Sequence, residues 1–123
     1  MGNPFVFVEL YTDDVGKSKQ FYTSLLDWKT NDMDNAAVPG GKYTMISVGE
    51  GTGGGMLKNP MPNGKGSHWM PYVQVKDVAA TAKKAEGLGA KVVLGKTEVM
   101  GMGWLTIISD PQGAMFGFWQ SKD

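Results

Sequence analysis

Residues 5–15 read FVFVELYTDDV, and residues 68–78 read HWMPYVQVKDV. Both are runs of alternating side chains that end on an Asp-Val pair. In the first, Val6, Val8 and Leu10 point one way and Phe5, Phe7, Glu9 and Tyr11 the other, which is the period-two pattern of a strand. In the second, Trp69, Pro71, Val73 and Val75 alternate with His68, Met70, Tyr72 and Gln74. Asp14 and Asp77 are N-cap residues, because a short carboxylate can accept the first free N–H groups of a helix. Helical spacing follows each, as Val15, Ser18, Tyr22, Leu25 and Leu26, then Val78, Thr81, Ala82 and Ala85. The offset between the two aspartates is 63 (77 − 14). Between Leu26 and Leu88, and between Lys29 and Lys91, it is 62, against 61.5 for half of a chain of 123 residues.

Outward from these stretches, short strands are expected at 28–30, 43–48, 56–58, 90–94, 104–109 and 115–119. Residues 31–41, 49–55, 59–66 and 95–103 are rich in glycine, proline or polar residues and read as loops. Asp110-Pro111-Gln112-Gly113 is a turn, with proline presetting φ at its second position. The order strand, helix, three strands occurs twice. The fold class is therefore α+β, a duplicated βαβββ unit spanning 1–60 and 61–123 within one compact domain.

Composition narrows the function. Hydrophobic residues make up 41% and charged residues 20%, an ordinary globular balance that excludes disorder and coiled coil. Twelve basic residues offset twelve acidic ones. A zero net charge argues against nucleic acid and against an anionic membrane surface as partners. With no cysteine, disulfides, thiolate metal sites and a thiol nucleophile are out. No apolar run approaches the roughly 20 residues of a membrane span. The start Met1-Gly2-Asn3-Pro4 has no basic, then apolar, leader pattern, so a cytoplasmic setting is expected.

Three strings then carry a family resemblance: Val8-Glu9-Leu10 with Thr12-Asp13-Asp14, Phe21-Tyr22 and Leu26-Asp27-Trp28; Val73, Val75-Lys76-Asp77-Val78 and Gly87-Leu88-Gly89-Ala90; and Ser109-Asp110-Pro111-Gln112-Gly113-Ala114 with Phe116-Gly117. With the repeat, they resemble the vicinal oxygen chelate superfamily of glyoxalases, extradiol dioxygenases and bleomycin resistance proteins. The resemblance implies curved half-barrel sheets with helices on the convex side and a site on the concave side. On the alternation above, Glu9, Tyr43, Met45, Met56, His68, Met70, Tyr72, Trp104, Thr106, Met115 and Trp119 fall on the concave side with Phe7. Leu105 and Ile107 fall under the helices.

Metal-dependent relatives place ligands seven residues before each helix-capping Asp and in the last strand of each unit. Those positions here are Phe7, Met70, Met56 and Gly117. Phenyl, thioether and hydrogen are not ligands for a hard or borderline divalent ion, so no metal and no other cofactor is expected. Glu9 and His68 remain as candidate catalytic residues. The plain alternative for Glu9 is a carboxylate bonded to a Tyr or Trp, and for His68 a partly exposed residue at a linker end. Phe7, Tyr43, Met45, Met56, Met70, Tyr72, Trp104, Met115 and Trp119 would line a cavity for a planar or apolar organic ligand, since aromatic rings stack and Met adapts. Tyr43 and Trp104, at matching places in the two units, would clamp it between them.

The leading expectation is thus a metal-free small-molecule binding protein of the glyoxalase/bleomycin-resistance type. A metal-free lyase, isomerase or hydrolase using Glu9 as base stands second, and a metal-dependent glyoxalase or dioxygenase third. A homodimer is expected, because half-barrels leave open strand edges. The 31–41 and 95–103 loops would rim the cavity mouth.

Overall fold

The computed structural model describes residues 2–36, 38–60 and 66–122. Positions 61–65 of the expected linker lie outside the described residues. The chain forms two compact units, residues 7–70 and residues 1–6 with 71–123.

The unit of residues 7–70 contains β1 (Phe5–Thr12), α1 (Val15–Leu25), β2 (Lys29–Asp34), β3 (Lys42–Ser47) and β4 (Gly54–Lys58), with Phe5 and Val6 of β1 outside it. Its strands run in the order β1-β4-β3-β2, β1 parallel to β4 and the other pairs antiparallel. Asp14 caps α1, its Oδ1 accepting from the Lys17 N–H at 3.0 Å. Beneath the helix, Leu10, Ile46 and Met56 form the core, with Val15, Tyr22, Trp28 and Val48 packed on it. Tyr22 stacks on Trp28 at 5.7 Å and accepts a hydrogen bond from the Trp69 indole at 3.2 Å.

The other unit holds β5 (His68–Gln74), α2 (Val78–Gly87), β6 (Lys91–Val99), β7 (Gly103–Ser109) and β8 (Met115–Ser121), with the first three residues of β5 outside it. The strand order, β5-β8-β7-β6, repeats the first unit, with β5 again parallel to the last strand. Asp77 caps α2 by accepting from the Ala80 N–H at 3.0 Å. Val73, Val75, Val78, Ile108 and Phe118 form its core, with Phe116 and Trp104 packed against it. Asp110 Oδ1 accepts from the N–H groups of Gln112 and Ala114, both at 2.9 Å, and Gly113 takes φ 92°, so the Asp-Pro turn is closed as its sequence demands.

The α+β reading and its repeat are borne out, and the structure corrects four local expectations. Residues 31–34 belong to β2 rather than to a loop. They are polar because β2 ends its sheet order within the unit, and its charges are engaged: Lys19 Nζ lies 2.9 Å from Asp32, the Thr44 hydroxyl donates to Asp32 at 2.7 Å, and Lys42 pairs with Asp34 at 3.3 Å. Residues 95–99 likewise extend β6, which is mostly exposed and carries register shifts between Val92 and Leu94 and between Leu94 and Thr97. Edge-type strands of this kind lack the apolar alternation by which strands are read. Gly54 and Gly55 lie in β4, not in the preceding turn. A Cβ at Gly54 would overlap the Val8 carbonyl oxygen, so glycine is what lets β4 approach β1.

The fourth correction concerns which way side chains point. Thr106 pairs with Phe118 and Ile108 with Phe116, so Trp104, Thr106 and Ile108 share the helix-covered face, and Leu105 and Ile107 take the other. The string WLTIIS has bulky apolar residues at both parities, and only pairing with β8 decides between them. In β4, Met56 is opposite both Leu10 and Thr44 and is fully buried in the helix-side core, whereas Gly55 lies opposite Glu9 on the other face.

Candidate functional site

The face of residues 7–70 turned away from α1 is built by β1, β3 and β4. Glu9 lies opposite Gly55 in β1–β4, and Met45 lies opposite Gly55 in β3–β4. Tyr43, two residues before Met45, leans over Gly55, and its phenol donates to Glu9 Oε2 at 2.6 Å. Glu9 is only 8% exposed. Burial holds the Tyr43 phenol far above the usual tyrosine range, reinforced by the Glu9 charge, by the hydrogen bond to it and by Tyr11. The proton therefore stays on Tyr43, and Glu9 is its acceptor.

His68 stands edge-on to the Tyr11 ring, centroids 5.3 Å apart, with Nδ1 3.1 Å from the Gly66 carbonyl oxygen. Facing a carbonyl oxygen, Nδ1 is the donor of that contact. Nε2 is buried and has no hydrogen-bond partner among the described residues.

In the second unit the face away from α2 carries Tyr72 opposite Gly117, Gln74 opposite Trp119, Trp119 opposite Leu105 and Met115 opposite Ser109. The Tyr72 ring lies over Gly117 and is 2% exposed.

Of the expected lining residues, Phe7, Tyr43 and Met45 share a face with Glu9, and Met70, Tyr72, Met115 and Trp119 share the parity of the second unit's face. Met56 and Trp104 do not belong, since both pack under helices. The Tyr43–Trp104 clamp is therefore overturned. Trp104 instead has Lys96 Nζ 4.9 Å and Lys122 Nζ 5.5 Å from its ring centroid. The residue that sequence reasoning missed is Gly55. It follows once the repeat offset is set at 62 (117 − 55) rather than 61. Two open clefts, of about 480 Å³ along α1 and about 580 Å³ beside α2, are walled by helix-side residues and include neither Glu9 nor Tyr43.

The positions at which the resemblance implies metal ligands are, with the register corrected, Phe7, Gly55, Met70 and Gly117. None offers a donor that suits a hard or borderline divalent ion. Among the described residues no three His, Cys, Asp or Glu side chains gather to hold an ion. These residues do not fit a divalent ion held by three protein donors.

Comparison with known proteins agrees with this architecture. The profile of the Glyoxalase/Bleomycin resistance protein/Dioxygenase superfamily matches residues 5–118. The chain is 34% identical over 111 residues to CFP32 of Mycobacterium tuberculosis, named as a candidate glyoxylase, covering 90% of this chain and 41% of that protein. It is 30% identical over 124 residues to the anthracycline biosynthesis protein DnrV of Streptomyces peucetius, covering 91% and 45%. The chain thus spans less than half the length of these curated relatives. Among solved structures, a hypothetical protein of Bacillus halodurans C-125 superposes with TM-score 0.73 at 15% identity, over 100% of this chain and 97% of that one. Methylmalonyl-CoA epimerase of Mycobacterium tuberculosis superposes with TM-score 0.70 at 13% identity, over 97% and 88%. Identities this low speak for the fold alone.

Proposed function

The chain belongs to the Glyoxalase/Bleomycin resistance protein/Dioxygenase superfamily, and we propose that within it this protein binds a small, planar, hydroxylated aromatic molecule without a catalytic metal. The observation that carries the reading is the buried Glu9–Tyr43 pair at 2.6 Å, set on a face with Phe7 and Met45. Apolar walls with one well-placed polar group suit a ligand that stacks and offers a single hydroxyl or enol hydrogen. Glu9, held as an acceptor, takes that hydrogen. Similarity to a protein named for anthracycline biosynthesis, a class of planar polycyclic compounds, supports the ligand class. Open strand edges of half-barrel sheets support a homodimer. Sedimentation that finds only monomer at micromolar concentration would remove that part.

A second reading, a lyase, isomerase or hydrolase, is favoured by the same burial of Glu9. A carboxylate away from water, beside a phenol that keeps its proton, is placed to remove a proton from bound substrate.

The test is binding of a neutral dihydroxyanthraquinone, followed by tryptophan quenching and thermal shift, with and without chelator. Wild type should bind, Glu9→Gln should bind about tenfold more weakly, the loss of one charge-assisted hydrogen bond, and chelator should change nothing. Loss of binding with chelator would return the metal-dependent reading. Unchanged binding by Glu9→Gln would remove Glu9 from the site. Conversion of the probe or of an enolisable ketone by wild type, abolished in Glu9→Gln, would decide for the enzyme.

A further inference from the structure

Gly55 does not take a left-handed φ, unlike nine other glycines among the described residues, so its lack of a side chain is not explained by backbone conformation. Space explains it. A Cβ built at Gly55 would overlap the Tyr43 hydroxyl and the ring carbon that bears it. The volume a side chain would occupy is filled by the part of Tyr43 that reaches Glu9. The other unit repeats the geometry. Gly117, one repeat on from Gly55, is opposite Tyr72, and a Cβ there would overlap the Tyr72 ring. At both last-strand sites a glycine receives an aromatic ring, and at Gly55 that ring is hydrogen-bonded to Glu9.

We propose that Gly55 is the positioning residue of the acid–phenol pair, its missing side chain being the receptacle that seats Tyr43 against Glu9. This deepens the functional reading above and rests on it for the importance of the pair. Glu9 and Tyr11 are the titratable groups that act on the phenol, and neither would be altered by a change at Gly55. Any side chain at Gly55 should lift the phenol off the carboxylate while leaving both residues in the chain.

The experiment labels tyrosine with carbon-13 at Cζ, assigns the Tyr43 signal by its loss in Tyr43→Phe, and follows it against pH. In wild type the signal should stay that of a protonated phenol through pH 11. In Gly55→Ala the Tyr43 signal at neutral pH should move to that of a phenol not bonded to a carboxylate, its titration should begin at lower pH than in wild type because the Glu9 contribution is lost, and binding of the dihydroxyanthraquinone should weaken about tenfold. Gly117→Ala, the matched insult in the other unit, should leave the Tyr43 signal silent. A Tyr43 signal unchanged in Gly55→Ala, or shifted equally by Gly117→Ala, would overturn the proposal. Should Gly55→Ala fail to fold, the double variant with Tyr43→Leu should fold, because the overlapping hydroxyl and ring are gone. Failure of the double variant as well would overturn it. If Glu9→Gln binds the probe as wild type does, the functional reading falls while the seating of Tyr43 is still decided by the carbon-13 titration.

Discussion

The two units have the same strand order and the same capped helix, yet their equivalent sites carry different side chains. Opposite the last-strand glycine, the unit of residues 7–70 has Glu9 and the other has Tyr72. The acid is accompanied by a phenol from β3. The place in β7 that the repeat matches to Tyr43 is held by Leu105, which faces Trp119. One copy thus places a carboxylate opposite its glycine, bonded to Tyr43, and the other places an aromatic ring there. The β2–β3 and β6–β7 connections differ too. The first spans 35–41 and contains a 3₁₀ turn at Pro39–Gly41, while the second is a tight turn at Met100 and Gly101. A duplicated scaffold sets where side chains can meet, and the side chains then decide what each copy holds there.

The sharpest way to break this comparison is to move the acid. Tyr72→Glu puts a buried carboxylate over Gly117 with leucine where its phenol would be. An uncompensated buried charge costs about 3–5 kcal/mol, so urea denaturation at neutral pH should show a loss of that size, partly recovered at acid pH as the carboxyl protonates. Wild-type stability in Tyr72→Glu would mean that the two sites are interchangeable.

Tyr43→Phe tests the pair where it stands. Removing a hydrogen bond to a charged acceptor should cost about 1.5–3 kcal/mol. The pH dependence adds a second reading. Above about pH 10 a tyrosine in the unfolded chain ionises while Tyr43 in the fold keeps its proton. The folded state then binds the extra proton, and stability falls with rising pH by up to about 1.4 kcal/mol per pH unit. In Tyr43→Phe that part of the slope should vanish between pH 10 and 11.

The tight turn offers a gain in stability. Met100 has φ 49° and Gly101 φ 73°, positive values at both central positions of the turn closed by the Met102 N–H donating to the Val99 carbonyl at 2.8 Å. Side chains other than Asn and Gly are strained there. Met100→Asn should raise stability by about 0.5–1 kcal/mol, seen as a higher midpoint in thermal denaturation.

The smallest effect is expected at Asp32 in β2. The hydrogen bond from Lys19, then that from Thr44, holds its carboxyl below the usual aspartate value. A lowered pKa gives stability that is present above the unfolded value of about 3.9 and is lost as pH falls through the folded one. The side chain is exposed enough that Asp32→Asn should cost only about 0.3–1 kcal/mol at pH 7, a cost that shrinks as pH falls below the unfolded value.

The duplicated βαβββ order, both N-cap aspartates, the Asp-Pro turn and the family were legible in the residues. Local rules suffice for these: period two in FVFVELY, a carboxylate at the cap, proline before glycine in a turn. The edge-type strands were not legible beyond their first residues. Asn31–Asp34 and Gly95–Val99 owe their conformation to a neighbouring strand and carry no apolar alternation of their own. Glu9 could be singled out as a carboxylate among aromatic residues, and bonding to a tyrosine was one of its readings, but not which tyrosine.

What the sequence determined by itself is what depends on neighbours along the chain: the elements, their order and their repetition. Tertiary structure alone decided what depends on register, because a strand offers two faces and a shift of one residue exchanges them. Pairing with β8 sent Trp104 under α2, pairing with β1 and β3 sent Met56 under α1, and the same register brought Gly55 opposite Glu9 so that Tyr43 could reach it.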